Sequence, residues 1–135
     1  MKHLFKLLAL ASTLFLWDRF LKSWPFFTNV HDNFFISWVY LKNTGGAFST
    51  PVPILFLVIF GLLALVFLGI LADYAWRNNY KYKLWGASLM FIGGVSNLID
   101  RIFAGGVVDM FYLTTGLSFN LADVYLVAGA VLLLL

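Results

Sequence analysis

No charged side chain occurs between Asn43 and Ala72, and from about Pro51 onward this interval is almost wholly apolar. An α-helix rises about 1.5 Å per residue, so the run from Pro51 to Ala72 is long enough to cross a hydrocarbon core of about 30 Å. The whole chain is 62% hydrophobic and 11% charged, which is too apolar for a soluble globular domain. The sequence therefore predicts an integral membrane protein.

Three further apolar runs are candidate helices: Leu4 to Leu21, Leu84 to about Ile99, and about Phe119 to Leu135. The basic start before the first run is typical of a signal peptide, but no small-residue cleavage site follows, so we interpret it as a retained helix. The 135 residues leave room for one compact domain. We predict an all-α integral membrane protein with four transmembrane helices in a single domain, residues 1–135.

The basic residues indicate an orientation for these helices. One side of the predicted bundle carries five of them and the other four, and the positive-inside rule assigns the richer side to the cytoplasm. That side holds Lys2, Lys6, Arg77, Lys81 and Lys83. We therefore predict that both termini are cytoplasmic and that most acids lie at the outer face. Because the bases sit in short loops rather than in a stripe, nucleic acid is not a predicted partner.

The segment between the first two helices has a different composition. Asn33 to Lys42 is rich in aromatic and β-branched residues, and Asn43 to Gly46 supply turn-forming residues. This pattern predicts a small extracytoplasmic β-element between helices 1 and 2. An ordinary belt of aromatic residues at the membrane interface explains the same composition equally well.

Two acids near the end of the chain are the leading candidates for chemistry. Asp109 is flanked by bulky apolar residues and has no basic neighbour, and ionisable residues in such surroundings are functional candidates. Asp123 follows Asn120 by three residues. If Asn120 caps the fourth helix, Asp123 lies in its first turn at the positive end of the helix dipole. On local sequence alone, capping is the favoured explanation for Asp123.

The remaining polar residues in the predicted helices have structural explanations. Asp18 and Lys22 are spaced as an i, i+4 ion pair on the first helix. Asp100 and Arg101 end the third helix, either as interfacial polarity or as an acid and a base that hold the loop carrying Asp109. Adjacent glycines earlier in this helix predict close packing against a neighbour.

The sequence lacks the residues that several other kinds of catalytic or metal-binding site require. Cysteine is absent, and the two histidines, His3 and His31, lie in different parts of the chain. The sequence therefore predicts no metal site, no cofactor and no Ser-His nucleophile, and the glycines do not form a phosphate loop. Paired carboxylates remain the one hydrolytic apparatus that the sequence offers.

Five segments carry a resemblance when they are taken in order: Asp18 to Lys22, Asn43 to Ser49, Gly93 to Arg101, Val107 to Phe111, and Phe119 to Asp123. Together they resemble the lipoprotein signal peptidases, also called signal peptidase II. The resemblance implies a bacterial inner-membrane aspartyl endopeptidase with four transmembrane helices and a small extracytoplasmic β-element. It also implies that Asp109 and Asp123 form a catalytic dyad near the extracytoplasmic face.

Further roles follow from the resemblance. It makes Asn97, Asp100 and Arg101 polar supports at the end of the third helix and Asn120 a neighbour of the dyad. It also places Asn43 in an outer polar site and matches Asp18 and Lys22 to a first-helix motif. The implied partners are membrane lipid and a diacylglyceryl-modified prolipoprotein, which is cut on the amino side of its lipobox cysteine. We expect a monomer. Because the connection from Leu113 to Leu117 is shorter than in the family, we also expect a reduced outer wall at the site.

A small membrane transporter or proton-relay protein is the alternative function. A relay needs ionisable groups at successive depths through the membrane, whereas the acids of this chain collect at one predicted face. A non-catalytic assembly factor is a third class, and it would tolerate isosteric changes of the two acids. The charge distribution favours the peptidase over the transporter.

Overall fold

The computed structural model describes residues 2–23, 35–46 and 50–135. These residues contain four α-helices and three β-strands. In chain order they are α1 (Lys2–Ser23), β1 (Ile36–Asn43), α2 (Ile54–Arg77), α3 (Lys81–Ile99), β2 (Val107–Leu113), β3 (Ser118–Phe119) and α4 (Leu121–Leu133). A short π-helical turn, Asp100–Ala104, continues α3. The four predicted helices are therefore present, with boundaries that differ by a few residues from those expected.

Helix α2 is apolar on nearly all sides, and of its residues only Leu68 and Ala75 are buried. A helix that exposes apolar side chains all round is unsuited to water, and lipid is the matching solvent. Within the described part of the chain, α2 and the segment Lys81–Ala104 are long and apolar enough to cross a membrane. Membrane crossing by α1 and by the shorter α4 stays a prediction.

Helix α3 lies between α2 and α4 and contacts both through adjacent glycines. A Cβ on Gly93 would collide with the carbonyl oxygen of Ala122 in α4. A Cβ on Gly94 would lie 3.0 Å from Cδ2 of Leu65 in α2. The predicted close packing of this glycine pair is confirmed. Gly93 packs against α4, and Gly94 packs against α2.

The three strands form one antiparallel sheet in the order β1-β2-β3. Strand β1 pairs with β2 from Ile36 opposite Leu113 to Asn43 opposite Val107. The prediction that placed the β-element between helices 1 and 2 is therefore correct for one strand and wrong for the other two, which lie between α3 and α4. The composition of β1 predicted a strand but held no information about a partner so distant in sequence.

The second correction concerns the start of α4. Phe119 was expected to begin this helix, but it belongs to β3 and pairs with Phe111 of β2. The two rings stack with centroids 5.2 Å apart. The short connection between β2 and β3 is a tight turn, closed by a hydrogen bond from Leu113 N to Leu117 O of 2.8 Å. Gly116 adopts a φ of 92° there, which suits glycine.

The glycine contact gives a test of the α3–α4 packing. Gly93→Ala is expected to lower the free energy of unfolding by about 1–3 kcal/mol, because the added methyl group meets the Ala122 carbonyl. Gly69→Ala is the matched control, since its added Cβ enters open space on α2 and alanine is the better helix former. Thermal unfolding in detergent measures both. Equal stability of the two variants would contradict the close contact.

Candidate active site

A buried cluster of charges joins α1 to the end of α3. Lys22 Nζ lies 3.0 Å from Asp18 Oδ2 and 2.8 Å from Asp100 Oδ2, and all three side chains are at most 4% exposed. Arg19 Nη2 adds a bond of 2.6 Å to Asp100 Oδ1. Two acids thus face two bases, which is the arrangement that makes buried charge tolerable. The predicted ion pair of Asp18 and Lys22 is confirmed, within a larger cluster.

Two neighbouring residues of α3 extend this cluster toward α4. Ser96 Oγ donates a hydrogen bond to Asp18 Oδ2, and Arg19 Nη1 donates to the Ser96 carbonyl oxygen at 3.2 Å. Lys22 Nζ donates to Asn97 Oδ1 at 2.9 Å. The Asn97 side chain then reaches Asp123, because its Nδ2 donates to Asp123 Oδ1 at 2.8 Å. The ion cluster and one candidate acid are therefore two hydrogen bonds apart.

The start of α4 is held by two separate caps. Asn120 Oδ1 accepts from Asp123 N, and Asp123 Oδ2 accepts from Asn120 N, both at 3.0 Å, which is a complete capping box. Asp18 of α1 accepts from Ala122 N at 2.9 Å. These bonds satisfy backbone N–H groups that have no partner inside the helix. The prediction that Asn120 caps α4 is confirmed.

Asn120 also connects the two candidate acids. Its Nδ2 donates to Asp109 Oδ1 at 3.1 Å, while its backbone and its Oδ1 hold Asp123. Asn120 is fully buried and Asp109 is 2% exposed, whereas Asp123 is partly exposed. One buried amide therefore brings the two carboxyl groups into a single site.

Strand β2 determines where Asp109 lies. The sequence predicted a loop at this position, but Asp109 belongs to the strand and lies opposite Leu41 of β1. Its neighbours Val108 and Met110 are buried as well. Ser118 of β3 completes the surroundings of Asp109, because its Oγ forms a hydrogen bond of 2.6 Å with Asp109 Oδ2. A strand holds the carboxyl group more rigidly than a loop would.

Asp100 and Arg101 are adjacent in sequence but contact different partners. Asp100 pairs with the α1 bases, while the Arg101 guanidinium interacts electrostatically with Asp123 and Asp109 as well as with Asp100. Its Nη1 donates to the Asn97 carbonyl oxygen at 3.3 Å. Arg101 thus brings a positive charge close to the acid pair. A backbone hydrogen bond from Gly106 N to Asp100 O also joins the segment after α3 to the end of that helix.

Asn43 is the one predicted site residue that no hydrogen bond of the described residues joins to this cluster. Its Oδ1 accepts from Gly45 N at 3.0 Å, and its Nδ2 donates to the Gly46 carbonyl oxygen at 3.5 Å. The side chain therefore closes the turn that follows β1. Its role in an outer polar site stays a prediction.

Three residues of the site were missed by the sequence analysis. Arg19 and Ser96 lie one position from Asp18 and Asn97, inside segments that carried the resemblance, so their positions were a signal that was not used. Ser118 gave no such signal, because its contact with Asp109 depends on the pairing of β2 with β3. Among the described residues, no three acids or histidines are grouped so as to hold a metal ion. The site is suited to proton transfer between carboxyl groups and a substrate.

Comparison with known proteins identifies the class. Residues 10–135 match the family model described as Signal peptidase (SPase) II. Lipoprotein signal peptidase from Streptococcus pneumoniae is 38% identical over 105 residues, which cover 75% of this chain and 67% of that protein. The one from Caldicellulosiruptor bescii is 36% identical over 99 residues, covering 73% and 64%. The chain thus spans about two thirds of the length of these relatives.

Solved structures share the fold. One titled as a bacterial membrane enzyme solved by the in meso method at 2.3 Å has a TM-score of 0.79 at 22% identity, covering 96% of this chain and 85% of that one. A second, at 1.9 Å, has a TM-score of 0.75 at 24% identity, covering 96% and 90%. The fold and site define a helical membrane protein with paired carboxyl groups. The chain belongs to the signal peptidase II family, which is a family of proteases.

The ion cluster gives a stability prediction. Lys22→Met is expected to lower the free energy of unfolding by about 3–5 kcal/mol, because Asp18 and Asp100 lose their shared buried ammonium. Arg77→Met is the matched control, since its pair with Asp73 is exposed and contributes about 0–1 kcal/mol. Chemical unfolding in detergent compares the two. A Lys22→Met protein that unfolds like Arg77→Met would contradict a structural role for the cluster.

Proposed function

We propose that this chain is an intramembrane aspartyl endopeptidase. Its substrates are prolipoproteins that already carry diacylglycerol on the lipobox cysteine, and it cuts on the amino side of that cysteine to release the signal peptide. The observation that carries this proposal is the bridge formed by Asn120, whose side chain and backbone bind both Asp109 and Asp123. Membership in the signal peptidase II family supports the substrate class.

The chemistry follows from two carboxyl groups that share one proton. Like charges held together do not both ionise, so one group acts as general base on a water while the other, protonated, polarises the scissile carbonyl. Transfer of a proton to the departing amide nitrogen then collapses the tetrahedral intermediate. This chemistry requires neither a metal ion nor a covalent intermediate.

The proposed setting is the bacterial inner membrane, with four spanning helices in a single domain, both termini in the cytoplasm and the dyad near the extracytoplasmic face. Exposed apolar side chains directly beside the site support contact with lipid: Ile102 and Phe103, which follow Arg101, are 51% and 83% exposed. Asn43 belongs to the outer polar site in this proposal. The proposed active form is a monomer, because a single chain supplies both acids and the Asn120 that connects them.

The arrangement of charged residues supports a transporter or proton relay less well than it supports a peptidase. Within residues 9–23, 35–46 and 50–135, the buried charged residues are Asp18, Lys22, Asp100 and Asp109, and the hydrogen bonds of Ser96, Asn97 and Asn120 tie them to one region. Helix α2 carries no charge before its last turns. A relay requires ionisable groups at successive depths, and this arrangement does not supply them.

The proposed function is tested by replacing each acid with its isosteric amide. Asp109→Asn and Asp123→Asn are each expected to slow signal-peptide release by about 100-fold or more, because general acid–base catalysis contributes on that scale. The purified variants are incubated with a diacylglyceryl-modified prolipoprotein, and the released peptide is quantified by mass spectrometry.

Asp73→Asn is the matched control for this experiment. It makes the same chemical change in an exposed acid that pairs with Arg77 on α2, and it is expected to leave the cleavage rate unchanged. Cleavage at the parent rate by either folded dyad variant would overturn the aspartyl mechanism. A parent protein that does not cleave the lipidated substrate would overturn the proposed function itself.

A further inference from the structure

The two acids have hydrogen-bond surroundings of different kinds. Both oxygens of Asp123 accept from amide N–H groups: Oδ1 from Asn97 Nδ2 at 2.8 Å and Oδ2 from Asn120 N at 3.0 Å. An amide N–H can donate but cannot accept, and donors of this kind favour the charged carboxylate. Both hydrogen bonds of the Asp123 carboxyl group therefore favour its charged form.

The donor from Asn97 cannot be exchanged for an acceptor by rotation of its amide. Lys22 Nζ donates to Asn97 Oδ1 at 2.9 Å, and a lysine ammonium has no acceptor of its own. Asn97 must therefore present its oxygen to Lys22, which leaves its NH2 group directed at Asp123. The buried ion cluster thus fixes the polarity of the contact with Asp123.

Asp109 has one partner of another kind. Its Oδ1 accepts from Asn120 Nδ2 at 3.1 Å, but its Oδ2 lies 2.6 Å from the Ser118 hydroxyl. A hydroxyl can donate to a carboxylate and can equally accept from a protonated carboxyl group. The surroundings of Asp109 therefore suit both protonation states.

We infer that Asp109 carries the shared proton in the resting enzyme, that Asp123 is the ionised general base, and that Ser118 is a positioning residue for the Asp109 proton. The inference rests on the proposed peptidase function and assigns the two roles within it. In the resting state, protonated Asp109 donates to Ser118 Oγ. When Asp109 becomes an anion during the reaction, the Ser118 hydroxyl turns and donates to it.

The proton balance closes over one cycle. The water oxygen bonds to the scissile carbon, one water proton passes to Asp123, and the Asp109 proton passes to the carbonyl oxygen. In the second step, the C–N bond breaks as Asp123 gives its proton to the departing nitrogen. One hydroxyl of the intermediate returns its proton to Asp109 as the new carboxyl group forms. One water is consumed, and both acids regain their starting states.

The kinetic test compares two substitutions at one position. Ser118→Ala removes the hydroxyl and is expected to lower kcat by about 10-fold with little change in KM, because the contact acts on the proton rather than on substrate binding. Ser118→Thr keeps the hydroxyl, suits the strand β3, and is expected to stay within about twofold of the parent. Equal rates for the two variants, with a parent that cleaves, would overturn the inference and leave the peptidase function intact.

An infrared measurement tests the proton directly in the folded protein, in detergent free of ester groups. The parent is expected to have the carbonyl band of a protonated carboxyl group, absent in Asp109→Asn. Ser118→Ala should shift this band to higher frequency by removing its hydrogen bond, and Ser118→Thr should not. A parent without the band would overturn the inference. A band that responds to Asn97→Ala but not to Ser118→Ala would assign the proton to Asp123 and overturn it as well.

Discussion

A lysine ammonium with about 1% of its side chain exposed requires negative partners, because an unpaired buried charge costs several kcal/mol. Lys22 has two, one from its own helix and one from the end of α3. Water cannot take the place of either acid beside this buried ammonium group. Helices α1 and α3 must therefore meet at Lys22. The cluster therefore acts as a fixed attachment between two helices whose apolar surfaces alone would permit sliding.

The ion cluster between α1 and α3 also positions neighbouring residues that are themselves uncharged. Asp18 holds the backbone of Ala122 at the start of α4, and Lys22 orients the amide of Asn97 toward Asp123. Helix α1 contributes neither of the two candidate acids, yet it holds the start of the helix that carries Asp123 and orients the Asn97 amide that donates to Asp123. Long-range placement of this kind explains why costly buried charges are retained so close to the site.

The sequence predicted those parts of the structure that depend on residues close together in the chain. The uncharged run from Pro51 to Ala72 predicted α2, and the spacing of Asn120 and Asp123 predicted a helix cap, because each pattern lies within one continuous stretch of the chain. The sheet was not predictable in the same way, since β1 pairs with a strand more than sixty residues later, and composition carries no register. Ser118 could be recognised as a site residue only from the pairing of β2 with β3, which places it beside Asp109.

The bonds that cap α4 also hold the two candidate acids together, and this has a consequence when the protein is heated. Asp123 occupies the third position of the helix, and its backbone N–H and carboxylate both bind Asn120. Helix ends open at lower cost than whole domains do. Unwinding of a single turn would separate the two acids while the rest of the bundle stayed folded. If the two acids carry the proposed activity, heating is expected to abolish that activity at a lower temperature than the one at which the whole domain unfolds.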